Sequence, residues 1–160
     1  VIVVDVGCCT HDGADSVTAL IDRFHPETLY GCDPRPGFEN AVYEQDGTRV
    51  RVTRDAAWVR TGEIGYDDQG PASRTGHGLP ITVPCFDFPE FIAMLGHCDL
   101  VVKLDCEGAE YALLERLIAD DLDDRITLLL VEWHDHPVEA ETRRVSILER
   151  LRCPVEEWAL

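Results

Sequence analysis

Val101-Val102-Lys103-Leu104-Asp105-Cys106-Glu107-Gly108-Ala109-Glu110 runs from an apolar block directly into a carboxylate-rich turn. Residues 100–104 have the length and composition of a buried strand, and residues 109–119 carry apolar side chains at helical spacing. Strand, short polar turn and helix make up half of a βαβ unit. Lys103, the single lysine of the chain, places a charge inside the otherwise apolar strand, and Asp105, Glu107 and Glu110 surround the start of the helix. Glu107 and Glu110 also suit the positive end of a helix dipole, so part of their presence has a purely structural explanation.

The same alternation extends in both directions. Residues 1–6 form the first apolar block, and a loop follows over 7–13. Val17, Leu20, Ile21 and Phe24 fall at i, i+3, i+4 and i+7, with Asp12, Asp15 and Ser16 available as caps and His25-Pro26 as the stop. Residues 28–32 read as a second strand ending at Asp33-Pro34, and residues 48–53, alternating outward Arg with inward Val, read as a third. From 61 to 84 the composition shifts to Gly, Asp, Ser, Pro and His, which predicts a polar insert, either a hairpin or a mobile loop. Asp87-Phe88-Pro89-Glu90 is a capping box opening a helix through Phe91, Ile92 and Leu95. A strand over 126–131, a helix over 137–151 and an edge strand over 155–160 complete the chain. With no repeat, low-complexity tract or linker, residues 1–160 read as one α/β domain built on a mostly parallel, doubly wound sheet.

A chain of 160 residues, 45% of them apolar, can bury a core without covalent staples. Its 14 Lys and Arg against 31 Asp and Glu give a net charge of −17, a field that repels phosphate backbones and anionic bilayers. Neither nucleic acid nor membrane is therefore an expected partner. No apolar run approaches the roughly 18 residues of a membrane span, and the basic start of a signal peptide is missing, so a cytoplasmic location is expected. The opening on Val1, already inside a strand, suggests that an N-terminal cap is missing. Cysteines at 8, 9, 32, 85, 98, 106 and 153 include no Cys-x-x-Cys pair, which argues against a zinc knuckle or disulfide framework and for buried thiols. Oligomeric state is not legible.

In an open parallel sheet, ligands bind beyond the carboxyl ends of the strands. Those ends carry Asp5-Val6-Gly7, Asp33, the segment from Asp105 to Glu110, and Glu132-Trp133-His134. Gly7 and Gly13 would let a ligand approach the backbone, although neither a Gly-x-Gly-x-x-Gly nor a Gly-Lys-Ser/Thr pattern is present. Asp33 is placed to accept both hydroxyls of a ribose; an ordinary βα turn would account for it equally.

Taken together, these segments resemble the FkbM family of S-adenosylmethionine-dependent methyltransferases. The family hallmark, Lys-x-Asp-x-Glu-Gly-Ala-Glu, is matched by Lys103 to Glu110. In the same order as in the family come Asp5-Val6-Gly7, Tyr30-Gly31-Cys32-Asp33-Pro34, Asp55-Ala56-Ala57-Trp58 and Val131-Glu132-Trp133-His134, so the resemblance spans about residues 1–136. It implies a Rossmann-like class I methyltransferase fold, S-adenosylmethionine as cofactor, and O-methylation of a small-molecule or glycan hydroxyl. Asp5 belongs to the first cofactor-binding motif, Gly7 and Gly13 would line the methionine part, Asp33 would hold the ribose, and Asp55 with Ala56 would border the adenine. Asp105 would face the transferred methyl, and Glu107, Glu132 and His134 would wall the acceptor side. His134 is the expected base, since a free imidazole titrates near about 6.5. The insert 61–84 is expected to form part of the acceptor pocket.

The chain departs from the family pattern in two places. Its first loop is long and carries Cys8-Cys9, and only one strand follows the last helix where the fold closes with an antiparallel pair. Trp58 and Trp133 read either as stacking platforms or as core. Two other classes remain open. Asp105, Glu107, Glu132 and His134 would suit Mg²⁺ or Mn²⁺ in a metal-dependent hydrolase, and a non-catalytic nucleoside-binding domain would tolerate the altered first loop.

Overall fold

Wherever β-branched residues and leucines run without interruption, the chain is extended and buried. The computed structural model describes residues 1–8, 15–35, 38–69, 73–135 and 139–159. In chain order the strands are β1 (Ile2–Val6), β2 (Thr28–Cys32), β3 (Ala41–Gln45), β4 (Thr48–Thr53), β5 (Ala56–Trp58) and β6 (Gly62–Asp67). They continue with β7 (Arg74–Gly76), β8 (Ile81–Asp87), β9 (Leu100–Leu104), β10 (Leu128–Val131) and β11 (Val155–Glu157). The helices are α1 (Ser16–Phe24), α2 (Phe88–Met94), α3 (Glu110–Ala119) and α4 (Ala140–Arg150).

Seven strands form one sheet in the order β11-β10-β9-β1-β2-β4-β3, parallel throughout except for β3 against β4. Counting only the parallel strands in chain order, the arrangement is 3-2-1-4-5-6. Strand order therefore reverses between β1 and β9. Strand periodicity divides the side chains between the two faces. Val3, Leu29, Val50 and Val101 pack under Val17, Leu20 and Ile21 of α1. Val4, Val6, Val102, Leu104 and Leu129 pack under α2, α3 and α4 through Phe88, Ile92, Tyr111, Leu114 and Ile147.

The helix starts follow the expected caps. Asp15 accepts from the Thr18 amide at 3.1 Å, and Asp87 from the Glu90 amide at 3.0 Å with Pro89 in the first turn. The predicted helix over 137–151 is observed as Ala140–Arg150, while residues 136–138 lie outside the described residues.

Two differences from the sequence reading stand out, and the single edge strand it expected after the last helix is found. Strand β3 was not expected, because its residues are almost all exposed and show no apolar alternation. Its one local signal is Asp46-Gly47, whose positive φ values of 49° and 81° close a tight hairpin to β4. The polar insert is more ordered than a loop: β6 and β7 form the hairpin, and β5 and β8 extend it into a second sheet in the order β5-β8-β6-β7. Ile64, Tyr66, Val83 and Cys85 give that sheet a small core of its own, packed on Ala109. At the other edge, β11 lies parallel and directly beside β10, so among the described residues closure is by one parallel strand and not by an antiparallel pair.

Among the described residues no helix is long and apolar enough to cross a membrane. Cys8, Cys32, Cys85 and Cys153 are buried free thiols, and Cys98 and Cys106 are half-buried ones; Cys9 lies outside the described residues. Burial pushes the Cys8, Cys32 and Cys106 thiols above their ordinary range, which disfavours the thiolate form.

Candidate functional site

Where strand order reverses, the helices following neighbouring strands diverge to opposite faces and leave a crevice beyond the strand ends. Here that crevice has a volume of about 330 Å³ and is lined by Gly7, Asp33, Arg35, Asp105, Glu107 and Glu132 among others.

Its floor is an ion cluster. Asp5 of β1 and Lys103 of β9 are paired across the sheet, and both are fully buried. The Lys103 ammonium lies 3.0 Å from Asp5 Oδ1 and 3.2 Å from Asp105 Oδ2, and it donates to the Gly7 carbonyl at 2.8 Å. Ser16, at the start of α1, donates to Asp5 Oδ2 at 2.6 Å. Burial alone would push the ammonium towards its neutral form, but the Asp5 and Asp105 carboxylates outweigh it and hold the Lys103 pKa above its ordinary value. Asp5, expected in the first cofactor-binding motif, thus lies beneath the crevice and supports it. The cause is parity, since its side chain points to the α1 face with Val3.

Gly7 does border the crevice. Its φ is 76°, and a Cβ there would sit 1.8 Å from the Asp105 carbonyl oxygen. Gly7→Ala therefore combines about 1 kcal/mol or more of left-handed strain with a clash that must part β1 from β9. A fall in melting temperature of at least about 5 °C is expected in a thermal melt; an unshifted transition would show that the two turns separate freely.

The acidic end is tied together by a residue that reads from sequence only as a dipole partner. Glu110 is fully buried. Its Oε2 accepts from the Gly108 amide at 2.8 Å, and its Oε1 accepts from the His134 amide at 3.1 Å and lies 3.2 Å from His134 Nδ1. One carboxylate thus joins the turn after β9 to the turn after β10. The Tyr111 hydroxyl donates to the His134 carbonyl at 3.0 Å and fixes the second turn further. On the other side of the ring, His134 Nε2 is 3.5 Å from Glu107 Oε1 and 4.0 Å from Asp105 Oδ1. Glu107 adopts a left-handed φ of 52°, a strained conformation for a residue with a side chain.

Burial disfavours a charged His134. The Glu110 hydrogen bond and the charges of Glu110, Glu107 and Asp105 more than offset this and raise its pKa to about 9. Hence His134 is an imidazolium at neutral pH, and the expectation of a base titrating near the free-imidazole value is corrected. Burial, and then the charge of Asp105, pushes the Glu132 carboxyl above its ordinary range. Asp105, Glu132 and His134 each offer one ligating atom within 4.8 Å of the others.

At the opposite end Asp33 follows β2 and is nearly buried. Its carboxylate accepts from the Arg35 amide and from Arg35 Nε, each at 2.9 Å. Burial pushes the Asp33 carboxyl up, and Arg35 draws it part of the way back. Tyr66, Ser73 and Thr75 from the second sheet also line the crevice, and the charges of Asp33 and Arg35 act on the Tyr66 hydroxyl. The insert, expected to form part of an acceptor pocket, thus lines the crevice near Asp33.

Ala56 lines the crevice as expected, but beside Ala57 and not beside Asp55. Asp55, expected to border the adenine, lines a separate cavity of about 520 Å³ between β2, β4 and α2. Trp58 belongs to the core of the second sheet, and Trp133 packs on Tyr111 with ring centroids 5.5 Å apart, so neither is among the residues lining the crevice. Gly13, His11 and His136 lie outside the described residues. Compared with family models, with curated proteins and with solved structures, the chain matches none.

Proposed function

We propose that the protein is an S-adenosylmethionine-dependent methyltransferase, similar to the FkbM family, that methylates a hydroxyl of a small molecule or glycan. One observation carries the reading. The strand-order reversal opens a single crevice with Gly7 beside its floor, Asp33 at the end of β2 and Asp105 at the end of β9. The parallel order 3-2-1-4-5-6 is that of doubly wound nucleotide-binding sheets of the Rossmann kind.

The bound cofactor supplies a methyl group already activated on a cationic sulfonium. Asp33 is placed to accept ribose hydroxyls once Arg35 yields part of its hold, and Ala56 and Ala57 leave room for a flat ring. Among the described residues, the carboxylates of Asp5, Asp105, Glu107, Glu110 and Glu132 gather around Lys103 and His134, a carboxylate-rich end that suits a cationic guest. On methyl transfer the acceptor oxygen gains the methyl and loses its proton, and Glu132, with its raised pKa, is the carboxylate best suited to take that proton.

The test is binding of S-adenosylhomocysteine by calorimetry. Saturable binding by the wild type, weakened about 10-fold or more in Asp33→Ala by loss of a charged hydrogen-bond pair, is the expected result. No binding by the wild type would overturn the reading. A metal-dependent hydrolase is the second reading, favoured by the Asp105, Glu132 and His134 cluster, and it predicts no affinity for this ligand.

A further inference from the structure

We propose that Asp105, Glu132 and His134 form a divalent-cation site of the Mn²⁺ or Mg²⁺ class, open on the crevice side. The inference concerns the chain's own donors and does not depend on the methyltransferase reading.

Two carboxylates and one imidazole form a donor set that suits hard to intermediate divalent ions, with the imidazole favouring Mn²⁺. Metal–ligand bonds of about 2.1 Å place ligand atoms about 3 Å apart when adjacent and about 4.2 Å apart when opposed. His134 Nε2 and Asp105 Oδ1 are 4.0 Å apart, and all three residues offer ligating atoms within 4.8 Å of one another, so closure on an ion requires the side chains to draw inward from these spacings.

The supporting geometry is the stronger argument. A metal-binding histidine donates its second ring nitrogen to a carboxylate or carbonyl, which fixes the tautomer and turns the first nitrogen to the ion. Glu110, fully buried, does this at His134 Nδ1, and Nε2 lies 3.5 Å from Glu107 and 4.0 Å from Asp105, where an ion would take the place of the Nε2 proton and release it. Asp105 is held in the same way, because Lys103 takes Oδ2 and Oδ1 is the oxygen nearer the histidine. Glu107, 3.5 Å from Nε2, stands where it can accept from a water on the ion. Three protein ligands leave about three positions of an octahedron for water or an acceptor oxygen, whose proton the ion would make more acidic.

Mn²⁺ itself is the probe. The chelator-treated full chain is titrated with Mn²⁺, following free Mn²⁺ by electron paramagnetic resonance and bound water by proton relaxation. One saturable site with enhanced water relaxation is expected. His134→Ala and Glu132→Gln should each weaken it at least about 10-fold, and Glu110→Gln about 10-fold through loss of ring orientation. Thermal melts of each variant establish that it is folded. Absence of a saturable site in the wild type, or undiminished affinity in folded His134→Ala and Glu132→Gln, would overturn the proposal, as would binding with no water enhancement. Parallel S-adenosylhomocysteine binding separates the two readings: Mn²⁺ uptake without it leaves the cation site standing and removes the methyltransferase, and the converse removes only the cation site.

Discussion

Lys103→Met is expected to unfold the protein or to lower its melting temperature by about 10 °C, the largest stability loss of any single exchange considered. Lys103 and Asp5 are both fully buried, and the ammonium touches Asp5, Asp105 and the Gly7 carbonyl together. Methionine fills much of the same volume but leaves the Asp5 carboxylate uncompensated in the core, with Ser16 as its remaining partner. Breaking one side of a buried ion pair costs about 3–5 kcal/mol, and for a domain of this size each kcal/mol lowers the midpoint by about 2–4 °C. Arginine should not rescue the site, because its planar fork cannot occupy the point between two carboxylates and a carbonyl. The double variant Lys103→Met with Asp5→Leu removes the stranded charge as well and should recover a substantial part of the loss. A single variant melting within about 2 °C of the wild type, or a double variant no better than the single, would show that the ion cluster is not what joins β1 to β9.

Lys103 also shows how far the sequence could be read. A lone lysine within an apolar strand is visible as an anomaly, and β9 itself is found at its predicted bounds, Leu100–Leu104, because an uninterrupted apolar run has few ways to fold. The Asp87 capping box and the Val17, Leu20, Ile21 spacing are equally local signals, and both helices start where expected. Failure sets in where the deciding fact is the direction of one side chain. Ala56 and Ala57 line the crevice while Asp55, just before β5, lines a separate cavity, a split that no pattern in the segment announces. Nor does the first apolar run show that the Asp5 carboxylate is taken up by Lys103 and Ser16. Strand β3 carries no core pattern because nothing covers most of it, and the second sheet hides among glycines and prolines because its core is only a few side chains wide. Glu110 was legible as a carboxylate at a helix start, but its reach to His134 spans 24 residues of sequence and exists only once β9 and β10 are paired.

Glu110→Gln should remove the main support of the His134 charge and with it a pH dependence of stability. The folded-state His134 pKa is raised to about 9, against about 6.5 for a free imidazole. A raised pKa means that the folded state holds the proton more tightly than the unfolded chain. The resulting stabilisation is fully present below about pH 6.5 and is lost as the pH rises through about 9. At about 1.4 kcal/mol per unit the shift corresponds to about 3 kcal/mol, which partial solvent access reduces to about 2. Melts of the wild type in chelator should therefore fall by several degrees between pH 6.5 and 9.5 through this group. Glutamine offers one oxygen where the carboxylate offers two, so it can accept from the Gly108 or the His134 amide but not from both, and it brings no charge; the variant should be less stable at pH 6.5 and show a flatter profile above it. The His134 ring resonances, followed by NMR, should titrate well below the wild-type value. A profile and a ring pKa that both survive the exchange would assign the His134 charge to Glu107 and Asp105 instead, the two carboxylates that a bound cation would engage.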